Sequence, residues 1–252
     1  MALDAWVMAH IVQLYNDEFC DRYVTSNPQA RVPRPDAPCL YDPTGRQYDQ
    51  MTQATRSAQA NIAEGYARHQ TSTATEMQLL DVARATLQEL KGDYFHFLLR
   101  HGFTPWTRND PDHLALSNVR LARADYGDDW DADAARHIMQ QKELFAPWFQ
   151  RDAITAARAM YVLCNRCIYM NERFIAFRLE EFRQNGGFKE NLTQTRNAEL
   201  ARQAERQENP RCPQCGAPMI MKTATKGART GKRFWSCSQY PTTGCRGSIN
   251  ID

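Results

Sequence analysis

Cys212-Pro-Gln-Cys215-Gly opens a C-terminal segment that continues through a basic run to Phe234-Trp-Ser-Cys237 and ends its cysteine pattern at Cys245. Two cysteines in Cys-x-x-Cys spacing can bind one metal ion from a tight turn, and a second pair about twenty residues later completes a tetrahedron. A segment of about forty residues has too little core to fold alone, so the metal must contribute folding free energy. The sequence therefore predicts a structural Zn²⁺ site formed by Cys212, Cys215, Cys237 and Cys245.

Two disulfide bonds in a secreted domain are the alternative use of these four cysteines. The first residues, Met1 to Trp6, have neither the basic start nor the apolar centre of a signal peptide. Eight cysteines without an export signal indicate a reducing compartment, and no run approaches the roughly twenty apolar residues of a membrane span. We therefore favour zinc, a cytoplasmic location and no membrane partner.

The residues around the cysteines resemble a known module. Gly231-Lys-Arg-Phe234-Trp-Ser-Cys237-Ser-Gln-Tyr240-Pro looks like the zinc ribbon repeated at the C-terminus of bacterial type IA DNA topoisomerases. The last turn differs, because three residues (242–244) separate the proline from the final cysteine. Since the topoisomerase ribbons bind single-stranded DNA, the resemblance implies that 211–252 is a nucleic-acid-binding zinc ribbon.

Basic and aromatic residues are interleaved in this predicted ribbon. Cations neutralise phosphates, and exposed aromatic rings stack on unpaired bases. The candidate nucleic-acid-binding residues are Lys222, Lys226, Arg229, Lys232, Arg233, Phe234, Trp235, Tyr240 and Arg246. As an alternative, Phe234 and Trp235 form the core of so small a module, and we expect one of the two to do so.

The charge is distributed unevenly along the chain. Its formal net charge is +2, but residues 1–184 contain 20 Lys/Arg against 24 Asp/Glu, and 211–252 contain seven basic residues against one acidic. Between them, 185–210 hold four of each. A contact with a polyanion, single-stranded DNA or RNA above all, is therefore expected to centre on the ribbon.

Upstream of the ribbon, apolar residues recur at three- and four-residue steps in four segments. They predict long amphipathic helices at about 2–23, 47–67, 75–101 and 153–182. The expected fold is an all-α four-helix bundle over 1–184, with an insert at about 102–150 that has one or two short helices. Residues 185–210 are expected to be a linker or a solvated helix. Gly65 marks either a close helix approach or a helix end.

The second and third predicted helices carry another resemblance. Met51-Thr-Gln-Ala-Thr-Arg56-Ser-Ala-Gln-Ala-Asn61-Ile-Ala-Glu64-Gly-Tyr-Ala-Arg, followed by Leu80 to Leu90, resembles a bacterial four-helix-bundle family. That family includes proteins encoded in intervening sequences of ribosomal RNA genes and the accessory variability protein of diversity-generating retroelements. The resemblance implies a homo-oligomer, pentameric in the retroelement member, with a reverse transcriptase as partner. The acidic bundle of this chain makes the ribbon the better candidate for nucleic acid.

No catalytic motif is present, so no enzymatic function is expected. Cys164-Asn-Arg-Cys167 lies on a predicted helix, where buried cysteine behaves as a small apolar residue. The predicted function is that of a nucleic-acid-binding accessory protein. The alternative is a protein-binding adaptor or assembly protein in which zinc is purely structural.

Overall fold

The computed structural model describes residues 2–34, 36–68, 71–186, 188–206, 209–227 and 229–251. The chain divides into two compact units, Met1–Asn185 and Gly186–Asp252. Helices predominate, and the second unit contains a small antiparallel sheet. Among the described helices, none combines the length and the apolar character needed to cross a bilayer.

The first unit, which we call the helical unit, contains the following elements: α1 (Ala2–Tyr23), β1 (Val24–Thr25), a 3₁₀ turn (Pro28–Arg31), β2 (Leu40–Tyr41), α2 (Arg46–Arg68), α3 (Thr73–Arg100), α4 (Pro111–Asn118), α5 (Trp130–Glu143), α6 (Ala146–Phe149) and α7 (Ala153–Asn185). The four long helices begin and end close to their predicted positions. Ser72 caps α3 by accepting a hydrogen bond from the backbone N–H of Thr75.

The long helices bury the apolar stripes that the periodicity predicted. Helix α1 contacts α2 and α7, and α3 contacts the same two helices. The largest fully buried side chains include Tyr15, Tyr94, Phe97, Met8, Ile11, Met51, Ile62, Leu80, Leu87, Leu90 and Leu98. Burial of this apolar surface, at about 25 cal/mol per Å², supplies the main stabilisation of the unit.

Gly65 allows a close approach of α2 to α3. A Cβ atom at this position would lie 3.2 Å from Leu80 Cγ. Because α2 continues to Arg68, Gly65 does not end the helix. Close packing is thus the alternative that holds.

A buried ion pair and two buried hydrogen bonds add polar contacts between the helices. Glu76 on α3 is fully buried and accepts from Arg178 on α7 at 2.7 Å (Nε to Oε1) and 3.1 Å (Nη2 to Oε2). Asn171 Nδ2 donates to the Leu80 carbonyl at 2.7 Å, and Tyr94 Oη donates to Asn16 Oδ1 at 2.9 Å. Breaking one partner of such a buried pair leaves an uncompensated charge or dipole, so these contacts favour this one helix arrangement.

The insert and the segment between α1 and α2 are each held to a long helix by a hydrogen bond. In the insert, Tyr15 Oη donates to the Lys142 carbonyl at 2.8 Å. In the segment between α1 and α2, Arg100 Nη2 donates to the Arg31 carbonyl at 2.9 Å. The insert has three short helices, α4 to α6, where the sequence indicated one or two.

The cysteines of the helical unit lie mostly in its core. Cys20, Cys164 and Cys167 are fully buried, and Cys39 is half-buried. Burial raises the pKa of Cys167 to about 12 and also raises the pKa of Cys164, so both thiols stay protonated near neutral pH. The prediction that the Cys164–Cys167 pair belongs to the core is confirmed.

The second unit, which we call the C-terminal unit, begins with α8 (Phe188–Arg206) and continues with β3 (Met219–Thr223), β4 (Arg233–Cys237), α9 (Tyr240–Thr243) and β5 (Ser248–Asn250). The strands form an antiparallel sheet in the order β3-β4-β5. Helix α8 contacts β3, and most of its described side chains are exposed. Residues 188–206 therefore form a solvated helix, which is one of the two alternatives predicted for 185–210.

Candidate metal centre and basic groove

The four C-terminal cysteines converge on one point. The Sγ atoms of Cys212, Cys215, Cys237 and Cys245 all lie within 4.8 Å of one another. Cys212 Sγ is 3.8 Å from Cys245 Sγ, and Cys215 Sγ is 3.4 Å from Cys237 Sγ. A tetrahedral ion with bonds of ~2.3 Å to thiolates separates its sulfurs by about 3.8 Å. The cluster thus fits a tetrahedral metal ion bound by four thiolates.

The first pair of cysteines is presented by a tight turn. The Gly216 N–H donates to the Cys212 carbonyl at 2.9 Å, and the Gln214 N–H donates to Cys212 Sγ at 3.4 Å. Gly216 has φ +72°, a conformation that favours glycine. The local sequence Cys-Pro-Gln-Cys-Gly therefore folds so that backbone dipoles point at a sulfur, as in the outer shell of a metal site.

The second pair is separated by a short helix. The Gln239 N–H donates to Cys237 Sγ at 3.3 Å, and α9 then accommodates the additional residues before Cys245. Gly244 ends α9 with φ +73°. The longer last turn noted in the sequence is thus absorbed as one helical turn, and it leaves Cys245 within reach of the other three sulfurs.

Gly247 closes the cluster from the side of β5. Its carbonyl accepts from the Cys237 N–H at 3.0 Å, and a Cβ at this position would collide with Cys212 Sγ. Only glycine leaves space here. The residue just before β5 is therefore packed directly against a candidate metal ligand, Cys212.

The pKa values of three of the four cysteine thiols are consistent with a site for a cation. Burial opposes ionisation of Cys212, but the N–H groups of Gln214 and Cys215 outweigh it and lower the pKa of that thiol to about 7. Burial and the thiols of Cys215 and Cys212 raise the pKa of Cys237 to about 12. The pKa of Cys245 is also raised: the Gly247 N–H favours its thiolate, but burial and the neighbouring thiols of Cys215 and Cys212 outweigh that effect. Four thiolates at these distances repel one another unless a positive ion binds between them.

The sheet separates the two aromatic residues of β4. Trp235 pairs with Met221 and Ile249 and packs, partly buried, against the small core of Cys212, Met219 and Cys237. Phe234 directly precedes Trp235 in β4 and so points to the opposite face. The expectation that one of the two forms the core is confirmed, and Trp235 is that residue.

An open groove of about 590 Å³ lies beside Phe234. It brings together four of the predicted nucleic-acid-binding residues, Arg229, Lys232, Arg233 and Phe234. Its other lining residues are Ala224, Ser248, Asn250 and Ile251. The sequence analysis did not identify Ser248 and Asn250. The alternation Ser-Ile-Asn-Ile after the last cysteine was the signal that predicts a further strand with these residues on one face.

The remaining predicted residues lie outside the groove. Lys222 pairs with Phe234 across the sheet and so shares its face, and Lys226 is exposed in the turn between β3 and β4. Tyr240 is half exposed at the start of α9, and Arg246 is exposed between the cluster and β5. Over the described part of the C-terminal unit, no carboxylate forms a salt bridge with any of the six predicted cations.

Comparison with known proteins adds no relative to this description. No protein-family model matches the chain, and neither the curated proteins nor the solved structures include a match.

Proposed function

We propose that the C-terminal unit is a zinc ribbon that binds single-stranded DNA or RNA. The observation that carries the proposal is the groove in which Phe234 lies among Arg229, Lys232 and Arg233. The cations form no salt bridge within the described residues, so their charge is available to phosphates. Phe234 offers an aromatic surface to a base, and only an unpaired base has a face free to stack on it.

The metal has a structural role in this proposal. Four cysteine ligands leave no open coordination position, so zinc would hold β3, β4 and β5 in place rather than activate a substrate. Cys237 ends β4 and Gly247 precedes β5, and these two strands carry Phe234 and Asn250. The groove would therefore depend on the metal for its shape.

The helical unit, in the same proposal, is an antiparallel four-helix bundle that self-associates and presents several ribbons to one strand. The contacts of α1, α2, α3 and α7 support the bundle, and exposed apolar residues on α7 (Tyr169, Phe177 and Phe182) support association. Several linked ribbons would bind one strand far more tightly than one ribbon alone. The setting we propose is cytoplasmic, as an accessory of a reverse transcriptase, with a pentamer as the expected assembly.

The test is a fluorescence-anisotropy titration of the zinc-loaded protein with single-stranded DNA, single-stranded RNA and duplex at several salt concentrations. We expect binding to the single strands, with log affinity falling linearly with log salt. Charge reversal by Lys232→Glu and Arg233→Glu should weaken binding and reduce the slope by about 1.4, since each phosphate contact contributes about 0.7 for single strands.

The matched control is Arg196→Glu with Arg202→Glu, which makes the same charge change on exposed positions of α8. If both double variants weaken binding equally, the groove is not the binding site. If the wild-type protein binds no strand at low salt, the nucleic-acid proposal fails.

A protein-binding adaptor with purely structural zinc is the second candidate, and the exposed apolar residues of α7 favour it. In that case Tyr169→Ser with Phe177→Ser should abolish partner binding, whereas the charge reversals in the groove should have no effect. Co-purification of each variant with a reverse transcriptase or another partner separates the two candidates.

A further inference from the structure

Asn250 is the polar side chain closest to Phe234 on the neighbouring strand. The two residues are direct cross-strand partners in β4 and β5. Directly opposed residues of an antiparallel pair point to the same face, with Cβ atoms about 4.5–5.5 Å apart. Ser236 and Ser248 form the next pair on this face. A flat ring stacked on Phe234 would therefore have one edge above the amide of Asn250.

The hydrogen-bonding groups of Asn250 and Ser248 are available. Both side chains are exposed, and within the described ranges neither has a hydrogen-bond partner. Strand β5 lies at the edge of the sheet, so no further strand covers the groove on this side. The Asn250 amide can thus offer one donor and one acceptor side by side.

The other polar groups around Phe234 differ in kind. Lys222, on the β3 side, has donors only, and the guanidinium and ammonium groups of Arg229, Lys232 and Arg233 suit phosphates, which carry no sequence information. The Ser248 hydroxyl can donate or accept, but it does so from a single atom, whereas the Asn250 amide holds a donor and an acceptor on separate atoms and can contact two adjacent groups of a base edge at once. Base discrimination in the groove therefore falls to Asn250.

Adenine matches this amide better than the other bases do. Its N6 amino group stands beside a ring-nitrogen acceptor on both of its hydrogen-bonding edges, so two orientations of the stacked ring allow a bidentate contact with an amide. Cytosine has one such edge, and thymine has no amino group but an N3–H donor beside carbonyl acceptors. Both offer a smaller ring to stack. Guanine has two acceptors on its N7 edge. We propose, on the basis of the nucleic-acid-binding function above, that the groove is a one-nucleotide pocket that prefers adenine, with Phe234 stacking the base and Asn250 binding its edge.

The test uses the full-length zinc-loaded protein and a fluorescein-labelled nonamer of deoxythymidine. Its central base is kept as thymine or replaced by adenine, cytosine, guanine or 2′-deoxynebularine, the purine that lacks the N6 amino group. We expect the single adenine to raise affinity about tenfold over thymine, and nebularine to lose most of that gain because it keeps the ring but not the amino donor.

Asn250→Ala should abolish the difference between adenine and nebularine and retain binding to the thymine nonamer. Asn191→Ala, on the exposed surface of α8, is the matched control and should leave the preference unchanged. Phe234→Ala should weaken binding to all oligonucleotides alike. Zinc content and circular dichroism of each variant show that the sheet is intact.

The outcomes separate the two proposals. Equal, salt-dependent binding of all nonamers by the wild-type protein would overturn the adenine pocket and leave single-strand binding standing. An adenine preference that persists in Asn250→Ala would also overturn it. If no nonamer binds at low salt, single-strand binding and the adenine pocket fail together.

Discussion

The helical unit and the C-terminal unit are stabilised by different means. The helical unit buries a continuous set of large apolar side chains from four long helices. Among the described residues of the C-terminal unit, the apolar core is much smaller: Cys212, Met219 and Cys237 are buried, with Trp235 and Ile249 partly buried around them. Hydrophobic burial is spread over many contacts, whereas binding of the proposed metal would concentrate the stabilisation in four sulfur atoms. Treatments that remove one source of stability should therefore leave the other unit folded.

Removal of the proposed metal should be the largest perturbation. Metal binding to four thiolates contributes on the order of 10 kcal/mol of folding free energy in small zinc domains. We expect extensive dialysis against a chelator to abolish hydrogen-exchange protection in β3, β4 and β5 and to leave α1, α2, α3 and α7 protected. Hydrogen exchange followed by mass spectrometry of peptic fragments measures the protection of the sheet and of the helices in one experiment. If hydrogen-exchange protection persists in the sheet without metal, the metal is not the main source of stability of the C-terminal unit.

A core truncation should have the opposite selectivity. Leu98 is fully buried and Leu99 is half exposed, so the two neighbours form a matched pair on α3. Leu98→Ala should destabilise the helical unit by about 2–5 kcal/mol, and Leu99→Ala by no more than about 0.5 kcal/mol. Urea unfolding followed by circular dichroism at 222 nm measures this. Equal losses in the two variants would show that α3 is packed differently, and a lower metal content in Leu98→Ala would show that the units are coupled.

The metal site should depend strongly on pH. The raised pKa values of Cys237 and Cys245 keep both thiols protonated near pH 7–8 in the absence of metal, so metal binding must displace at least two protons. Metal affinity is therefore lost as the pH falls. Two displaced protons correspond to about a hundredfold change in affinity per pH unit, or about 2.7 kcal/mol. Competition with a chromogenic chelator from pH 6 to 8 measures the slope of log metal affinity against pH. A slope near zero would contradict binding of the metal by these thiols.

A single methyl group at Gly247 tests the packing of β5 against the cluster. Gly247→Ala places a Cβ where Cys212 Sγ lies, so the strand or the sulfur must move. We expect a 10- to 100-fold loss of metal affinity, which is the usual effect of disturbing the surroundings of a metal ligand. The neighbouring Ser248→Ala serves as control, since Ser248 is exposed. An unchanged affinity in both variants would mean that β5 can shift away at little cost.

The smallest effect compares two helical glycines. Nothing lies within 4 Å of a Cβ built at Gly92, whereas at Gly65 it would meet Leu80 at 3.2 Å. Gly92→Ala should stabilise the helical unit by about 0.5–1 kcal/mol through helix propensity. Gly65→Ala should destabilise it by about 1 kcal/mol, because overpacking outweighs that gain. Chemical denaturation of both variants gives the difference, and stabilisation by both would show that α2 and α3 separate readily.

The sequence predicted the long helices well because their signal is local and repeated. The three- and four-residue spacing of the apolar residues in α3 continues from Leu80 to Phe97, over about five turns, and capping by Ser72 marks the start of the helix. The convergence of Cys212, Cys215, Cys237 and Cys245 was also predicted, since their spacing is the one that suits a single ion. The number of helices in the insert was not predicted correctly, because α4 and α6 are short and have weak periodicity.

The groove was predicted only in part, and the reason is strand register. Phe234 and Trp235 are adjacent aromatic residues with similar neighbours, and only the pairing with β3 and β5 decides which one faces the core. A shift of one residue would exchange their places. Asn250 and Ser248 belong to a three-residue strand beyond the last cysteine. Asn250 and Ser248 lie near Phe234 only because β4 pairs with β5. No local sequence pattern indicates that these two separate segments pair.

The distribution of the cysteines has a practical consequence. Three of the thiols, Cys20, Cys164 and Cys167, are fully buried among the helices, and four others would be bound to the metal. An alkylating reagent therefore reaches the two groups through different events, loss of the metal for one and opening of the helical core for the other. Counting added labels by intact mass follows the two events separately, with the half-buried Cys39 as an internal reference. The unmodified protein thus contains its own pair of reporters, one for each unit.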